Sequence, residues 1–342
     1  MKPPAEMTRL DFLKLASGVL GGMGIPASAS SPDRKPVDPD YIAKGLTAMA
    51  NAQTWFDAHW GAGILAGYYL CRDHPLDGET KLSIQAQMDA VVETRGEQFA
   101  PIKAEPSDEA LLPNISKALR PAMDGGLRAH GHAVIFASLA LRALRDAPHM
   151  AQPSLVDRLC GLSRQIARLK PQVPSSGSQP YANTQEVIEA TFTSLARFRP
   201  LLGHPDIKRP NFTHMVTHTE ALMNLEALGE HELARMGHTG HQIHVSAPVP
   251  HVPSADHAEA EPVALEDVMN GRFWSESGNT ERWKKPWNQK ANPNGDWIAS
   301  GHLFKVLYSY HRLMGRISDT NQIKLVSAIL LERYMNPAVQ GG

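Results

Sequence analysis

The apolar residues follow a helical pattern almost throughout the chain from Tyr41 onward, and this pattern restricts the fold more than any other feature. None of the long windows shows the alternation of a β-strand, and Pro, Gly and Asn separate them. They cover residues 41–72, 78–96, 130–146, 153–169, 184–198, 214–235, 299–316 and 320–335. The sequence therefore predicts an all-α fold, and we expect a single domain over residues 31–342.

The charge and cysteine content exclude several classes of protein. The 342 residues carry a formal net charge of −1, and no long run of Lys or Arg indicates nucleic-acid binding. Cys71 and Cys160 lie in apolar helical windows, so we expect buried free thiols. No G-x-G-x-x-G motif indicates a dinucleotide-binding domain. No apolar run after the N-terminus reaches the roughly 18 residues of a transmembrane helix, so we expect no integral membrane segment.

The first thirty residues have the features of an export signal. A weakly apolar run over residues 15–25 follows one Arg and one Lys, and Ala27-Ser28-Ala29 matches a small-x-small cleavage pattern. The segment TRLDFLK is similar to a twin-arginine signal, but Leu10 stands where the second Arg is expected. We expect a leader over residues 1–30 and an exported or periplasmic protein. A disordered tail on a cytoplasmic protein is the alternative.

Residues 245–298 interrupt the helical pattern. The segment begins with the Pro- and His-rich sequence VSAPVPHVPSADHAEAEP. It contains four of the six tryptophans, Trp274, Trp283, Trp287 and Trp297. An irregular segment of this length within a compact domain is typically functional or disordered. We interpret it as a lid or pocket wall, and a loop held on the surface by its tryptophans is the other interpretation.

Four segments within the helical windows begin with a histidine. The segments HWGAGILAGYYL, HGHAVIFASLAL, HMVTHTEALMNL and HLFKVLYSYHRL begin at His59, His130, His214 and His302. Seven positions later, about two turns along the same face, each has a small residue: Ala66, Ala137, Ala221 and Ser309. The repetition predicts a ring or bundle of helical hairpins, each of which directs one His-bearing helix to a shared, His-lined centre.

The surroundings of these histidines indicate metal binding. The windows that start at His59 and His130 are apolar on nearly all sides, and a buried neutral imidazole needs hydrogen-bond partners or a metal. His218 lies one turn after His214, and we assign it a catalytic role. The segment HMVTH lacks the Glu of the zinc-protease motif, so that chemistry is not supported. A further group is interpreted as solvated surface residues: His238, His241 and His244.

The order of these motifs resembles the questin oxidase-like family, helical oxygenases that act on aromatic polyketides. The shared features are His59 followed by Ala66, the segment AHGHA, HMVT followed by EAL, and the H-x-x-K of His302 and Lys305. They are short motifs spread from about residue 50 to about residue 316. The resemblance implies a non-haem iron(II) centre with four histidines and a carboxylated lysine.

Carried over position by position, the implied ligands are His59, either His130 or His132, His214, His302 and Lys305. A carbamate formed from CO2 on the lysine would supply an anionic oxygen ligand, which imidazoles cannot. From the residues alone, Lys305 is equally well a solvated surface lysine. It lies about 60° from His302 on a helical wheel. It also lies away from the apolar stripe of Leu303, Val306, Leu307 and Tyr310.

The resemblance also implies a reaction. Dioxygen would be inserted into an aromatic or quinone-type substrate with cleavage of a ring C–C bond, so a small aromatic molecule and O2 would be the partners. Aromatic side chains suit the walls of a site for a planar ligand. The candidates are Trp60, Tyr68, Trp274 and Trp297. For Tyr68, packing in the core is the favoured interpretation.

Two other functions are compatible with the sequence. A helical hydrolase or lyase would use carboxylates for general acid and base catalysis, and Asp57 with Glu220 is a candidate pair. An exported His-rich protein without enzymatic activity would bind zinc or copper at several sites, including the histidines of residues 238–244.

Overall fold

A computed structural model describes residues 37–174, 180–202, 207, 212–252 and 301–330. These residues form eleven α-helices and four short 3-10 helices, and no strand occurs among them. The prediction of an all-α fold is confirmed. The leader, the segment 253–300 and therefore Trp274 and Trp297 lie outside the described residues.

The helices are short to medium in length, and we number them in chain order. They are α1 Asp40–Ala50, α2 Ala58–Asp73, α3 Gly78–Thr94, α4 Leu112–Met123, α5 His132–Asp146, α6 Pro153–Ala167, α7 Thr184–Ala196, α8 Phe212–Ala227, α9 His231–Val245, α10 His302–Met314 and α11 Thr320–Leu330.

Four inner helices form a closed bundle. Helix α2 packs against α5 and α10, and α8 packs against both of these, so the four enclose a common centre. The remaining helices pack on the outside, for example α1 on α2, α9 on α8 and α11 on α7. Their apolar faces join one continuous hydrophobic core. This is the predicted bundle in which four His-bearing helices share a centre.

Two of the predicted helical windows are each divided into two helices. The window 41–72 is broken between Ala50 and Ala58. The window 214–235 is broken between α8 and α9, where Gly229 takes a φ of 84°. A positive φ is sterically accessible to glycine and ends the helix there. Helix α9 then continues to Val245, where the predicted irregular segment begins.

The two cysteines are buried free thiols, as predicted. Burial raises the pKa of Cys71 to about 12, because the thiolate would be separated from water. Among the described helices, none is long and apolar enough to cross a bilayer.

Candidate metal centre

The four inner helices each bring one histidine to the centre of the bundle from their first turn. These histidines are His59 in α2, His132 in α5, His214 in α8 and His302 in α10. One ring nitrogen from each lies within 4.8 Å of those of the other three. All four side chains are buried. We call this group the four-His cluster.

The spacing of the rings suits coordination of a single ion. The ring centroid of His59 lies 4.4 Å from that of His132 and 4.8 Å from that of His302. The centroids of His132 and His214 are 4.5 Å apart. Imidazoles bound at about 2.0–2.1 Å to one ion have centroids roughly 4.5–6.5 Å apart, depending on the angle between them. The Nε2 atoms of His132 and His214 are 3.0 Å apart, which also fits two neighbouring ligands.

Backbone carbonyl groups fix the orientation of two of the rings. The Nδ1 atom of His59 lies 2.5 Å from the carbonyl oxygen of Phe56, and Nδ1 of His132 contacts that of Ala129 in the same way. Each Nδ1–H then donates to the carbonyl, which leaves the lone pair of Nε2 for a ligand. The Nε2 atom of His59 is buried and has no partner in the described part of the chain. An unpartnered buried acceptor is costly unless an ion or ligand occupies the site.

Left-handed backbone positions precede two of these histidines. Gly131 and Gly301 have φ values of 86° and 73°, and His132 and His302 follow them directly as the first helical residues. Ala129 and His130 are also left-handed, at 45° and 53°, a conformation that costs energy for residues with a Cβ.

This strained turn decides between His130 and His132, which the sequence left open. It directs His132 into the bundle, whereas His130 is exposed and its ring stacks on that of His214 at 5.2 Å. The dipeptide Gly-His, shared by residues 131–132 and 301–302, is the sequence signal that could have selected His132.

The small residues seven positions after each histidine are all buried in the bundle: Ala66, Ala137, Ala221 and Ser309. In α5, however, the count was taken from His130. From His132, the residue seven positions on is Leu139, so the predicted spacing does not hold in this helix. The close approach of the backbones is instead visible between α2 and α10, where a Cβ on Gly63 would lie 2.9 Å from the Cα of Gly301.

Lys305 is buried beside the cluster, and the interpretation of a solvated surface lysine is wrong. Its residue is 3% exposed, and Nζ lies 6.0 Å from the ring centroid of Phe136. No carboxylate or hydrogen-bond acceptor among the described residues contacts Nζ. Burial therefore lowers the pKa of Lys305 well below its usual value.

The electrostatic environment keeps the histidines neutral. Burial is the main cause that lowers the pKa of His59, His132 and His214, and the positive charge of Lys305 lowers the first two further. No carboxylate belongs to the cluster. Helices α2, α5 and α10 begin at or next to these histidines and have no side-chain cap, so their positive dipole ends lie near the site. A cation held here would need an accompanying anion.

Aromatic side chains form one wall of the cluster. The ring of Trp55 lies 5.2 Å from His132 and 6.3 Å from His59, and Phe136 lies 5.3 Å from each of these histidines. Trp55 is only partly buried, and its backbone N–H donates to Gln165 at 2.8 Å. Trp55 lies inside the predicted window 41–72 but in the turn that breaks this window before α2, so the helical pattern did not mark it as a site residue.

The two predicted substrate contacts that the structure describes have other neighbours. The ring of Trp60 lies under the guanidinium of Arg95, at 4.3 Å from the centroid. Tyr68 is buried two turns further along α2 and packs against Tyr69 and Arg72. In the described part of the chain, neither ring contacts the four-His cluster.

The remaining predicted histidines form a separate buried group. His218 is 1% exposed and lies one turn beyond His214, with its ring 5.3 Å from that of His244. The expectation that the histidines of α9 are solvated is wrong, because α9 packs against α8 and buries them: His238, His241 and His244. His241 contacts the hydroxyl groups of Thr191 and Tyr181 at 2.8 and 3.1 Å.

The proposed carboxylate pair is not assembled. Asp57 accepts hydrogen bonds from the backbone and hydroxyl of Thr54, at 2.9 and 2.8 Å. Glu220 is buried and pairs with Arg312 and Tyr308. No hydrogen bond joins the two carboxylates within the region that the structure describes.

Comparison with known proteins gives no relative. No family model matches the chain, no curated protein matches it, and no solved structure matches it. The geometry therefore stands alone: four buried histidines at the centre of a helical bundle can bind one metal ion.

Proposed function

We propose that the protein is a non-haem iron oxygenase that acts on a small aromatic or quinone-type substrate with cleavage of a ring C–C bond. The observation that carries the proposal is the four-His cluster with a buried lysine beside it. Iron(II) is among the ions that imidazole ligands suit, and it supplies the chemistry of dioxygen when bound. The order of the ligand motifs, which resembles that of the questin oxidase-like family, supports iron over other metals.

Lys305 is the residue to which we assign the anion that balances the charge of the bound ion. With its pKa lowered, a larger fraction of the amine is neutral at physiological pH, and a neutral amine adds CO2. The nitrogen forms a bond to the carbon of CO2 and loses one proton, which leaves a carbamate anion. That anion balances the positive charge of an ion held by neutral imidazoles, and no described carboxylate of the cluster could do this.

Trp55 and Phe136 are the residues that we assign to substrate positioning. Both rings contact His132, and Trp55 is the partly exposed one. A planar substrate stacked on Trp55 would lie beside the cluster while the apolar wall excludes water. Trp55→Ala is expected to raise KM more than it lowers kcat, whereas Trp60→Ala, which removes a ring packed under Arg95, is the control for general disruption.

Elemental analysis of protein purified anaerobically without a His tag tests the proposal. We expect about one iron per chain, lost in His132→Ala and retained in His130→Ala. Lys305→Ala should lower iron occupancy unless a small carboxylate is added, and 13C NMR of protein in 13CO2 should show a carbamate signal in the wild type only. Folded protein that binds no iron under these conditions would refute the oxygenase. Zinc binding without O2 consumption on an aromatic panel would favour the metal-binding protein instead.

A further inference from the structure

We propose that His218 and His244 form a second metal site, separate from the four-His cluster, for a borderline cation such as Zn2+ or Cu2+. The site is built from α8 and α9, and the iron proposal does not depend on it. Imidazole suits both of these ions.

The first observation is that each ring has one buried nitrogen without a hydrogen-bond partner in the described part of the chain. Nδ1 of His218 and Nε2 of His244 are inaccessible to solvent and have no hydrogen-bond partner among the described residues. The two residues are only 1% and 7% exposed. Leaving such nitrogens unsatisfied is costly, so a bound group is expected.

The second observation is the distance between the rings. Their centroids are 5.3 Å apart, which equals the distance between His214 and His302 within the four-His cluster. Two imidazoles that bind one ion at about 2.0–2.1 Å with a tetrahedral angle have centroids roughly 5 Å apart. The spacing therefore fits two ligands of one tetrahedral ion.

The third observation is how the rings are held. His244 has a backbone hydrogen bond with His130, in the strained turn that also positions His132. A carbonyl partner on one ring nitrogen, with the other left open, is the arrangement found for His59.

The space beside His218 is kept open by glycines. A cavity of about 10 Å3 adjoins this ring, which is room for about one water molecule. Gly131 and Gly240 are among its walls, and a Cβ on Gly131 would lie 2.8 Å from the imidazole. A water molecule beside His218 would be a third ligand, and a four-coordinate ion would need one more.

The test is the stoichiometry of Zn2+ binding to metal-free, full-length protein, measured by equilibrium dialysis and elemental analysis. We expect about two ions per chain in the wild type and about one in His244→Leu or His218→Leu. His302→Ala should also bind about one ion, and His302→Ala with His244→Leu about none. The matched control is His231→Ala, an exposed histidine at the start of the same helix, which should keep both ions.

Leucine is chosen because it fills similar volume without a polar atom, so the metal-free variants should remain folded by circular dichroism. A second readout uses His302→Ala alone: Zn2+ should raise its Tm, and this increase should vanish when His244→Leu is added. Two ions bound by His244→Leu, or one ion in the wild type that is lost entirely in His302→Ala, would overturn the second site. Failure of the four-His cluster gives a different pattern, in which His302→Ala changes nothing and His244→Leu still loses an ion.

Discussion

The same four inner helices carry two polar clusters, one buried and one partly exposed, and the clusters differ in how their polar groups are satisfied. Near the N-termini lies the four-His cluster. Further along the same helices lies an ion-pair network, formed by Asp73 of α2, Arg142 of α5, Glu220 of α8, and Tyr308 and Arg312 of α10. Because both clusters join all four helices, these helices run in the same sense through the bundle.

The charged groups of the network satisfy one another. The Tyr308 hydroxyl donates to Glu220 at 3.0 Å, and Arg312 donates to Glu220, Tyr308 and Asn224. Arg142 contacts the Tyr308 hydroxyl and pairs with Asp73 at 2.5 Å. The network therefore needs nothing from outside the chain. The four-His cluster contrasts with it, since Nε2 of His59 is buried and has no hydrogen-bond partner among the described residues. The difference separates a structural polar cluster from one prepared for a ligand.

Acidification should destabilise the four-His cluster, and it should have the largest effect of the three changes that follow. Burial lowers the pKa of His59, His132 and His214, whereas the unfolded imidazoles titrate near their ordinary pKa of about 6.5. Stability is therefore intact above about pH 6.5 and falls below it, because only the unfolded chain gains protons. Each histidine contributes about 1.4 kcal/mol per pH unit, and three give roughly 4 kcal/mol per pH unit.

Urea unfolding of metal-free protein at pH 7.5, 6.5 and 5.5 measures this loss. The variant His149→Ala, which removes an exposed histidine, serves as the control and should keep the same profile. A free energy of unfolding that stays constant over this range would show that the folded chain protonates its inner histidines, against the neutral cluster described above.

Glu220→Gln should break the ion-pair network with the next largest effect. Removing the buried carboxylate leaves the charge of the partly buried Arg312 uncompensated, and about 3–5 kcal/mol, the cost for a fully buried pair, is the upper limit of the expected loss. The loss should be the same with and without bound metal, because the network does not belong to the metal centre. Urea unfolding measures it. Glu232→Gln, in the exposed pair with Arg120, is the control and should change stability little. If Glu220→Gln lowers the free energy of unfolding no more than Glu232→Gln does, the network does not stabilise the fold.

Lys305→Met should stabilise the metal-free, CO2-free protein, with the smallest effect of the three. The pKa of Lys305 is lowered in the folded state, so at pH 7.5 the unfolded chain binds a proton that the folded chain does not. Folding is therefore penalised at neutral pH, and the penalty disappears as the pH rises towards 10.4. Methionine removes it, and at pH 7.5 the gain should be at least about 1 kcal/mol.

The pH dependence separates this effect from a simple gain in packing. The advantage of Lys305→Met in urea unfolding should shrink between pH 7.5 and pH 10, and the exposed Lys324→Met should show neither gain nor trend. An advantage that is constant with pH would mean that Lys305 keeps its charge in the folded protein.

The fold was predictable because it depends on the helical spacing of the apolar residues. Helices that are apolar on nearly all sides, such as α2, must lie inside, and a histidine at the start of each predicts a shared centre. The helix breaks were harder to predict. Residues 51–57 between α1 and α2 contain no Pro or Gly, so the apolar pattern continues across the turn.

The site was predictable only in part, because its last details depend on backbone conformation and on tertiary packing. Whether His130 or His132 points inward follows from the φ of Gly131, which no apolar pattern encodes. Burial of His244 and Lys305 depends on which neighbouring helix covers them. A helical wheel treats each helix alone, so for Lys305 it could not decide between a surface position and a ligand.

The donors of the four-His cluster come from helices that span almost the whole described chain, from α2 to α10. A nascent chain therefore lacks the fourth imidazole until residue 302 has been synthesised. Capture of an ion by all four donors must follow the synthesis of α10, so it cannot nucleate the folding of the earlier helices. An occupied centre would indicate that the four inner helices had closed into the bundle.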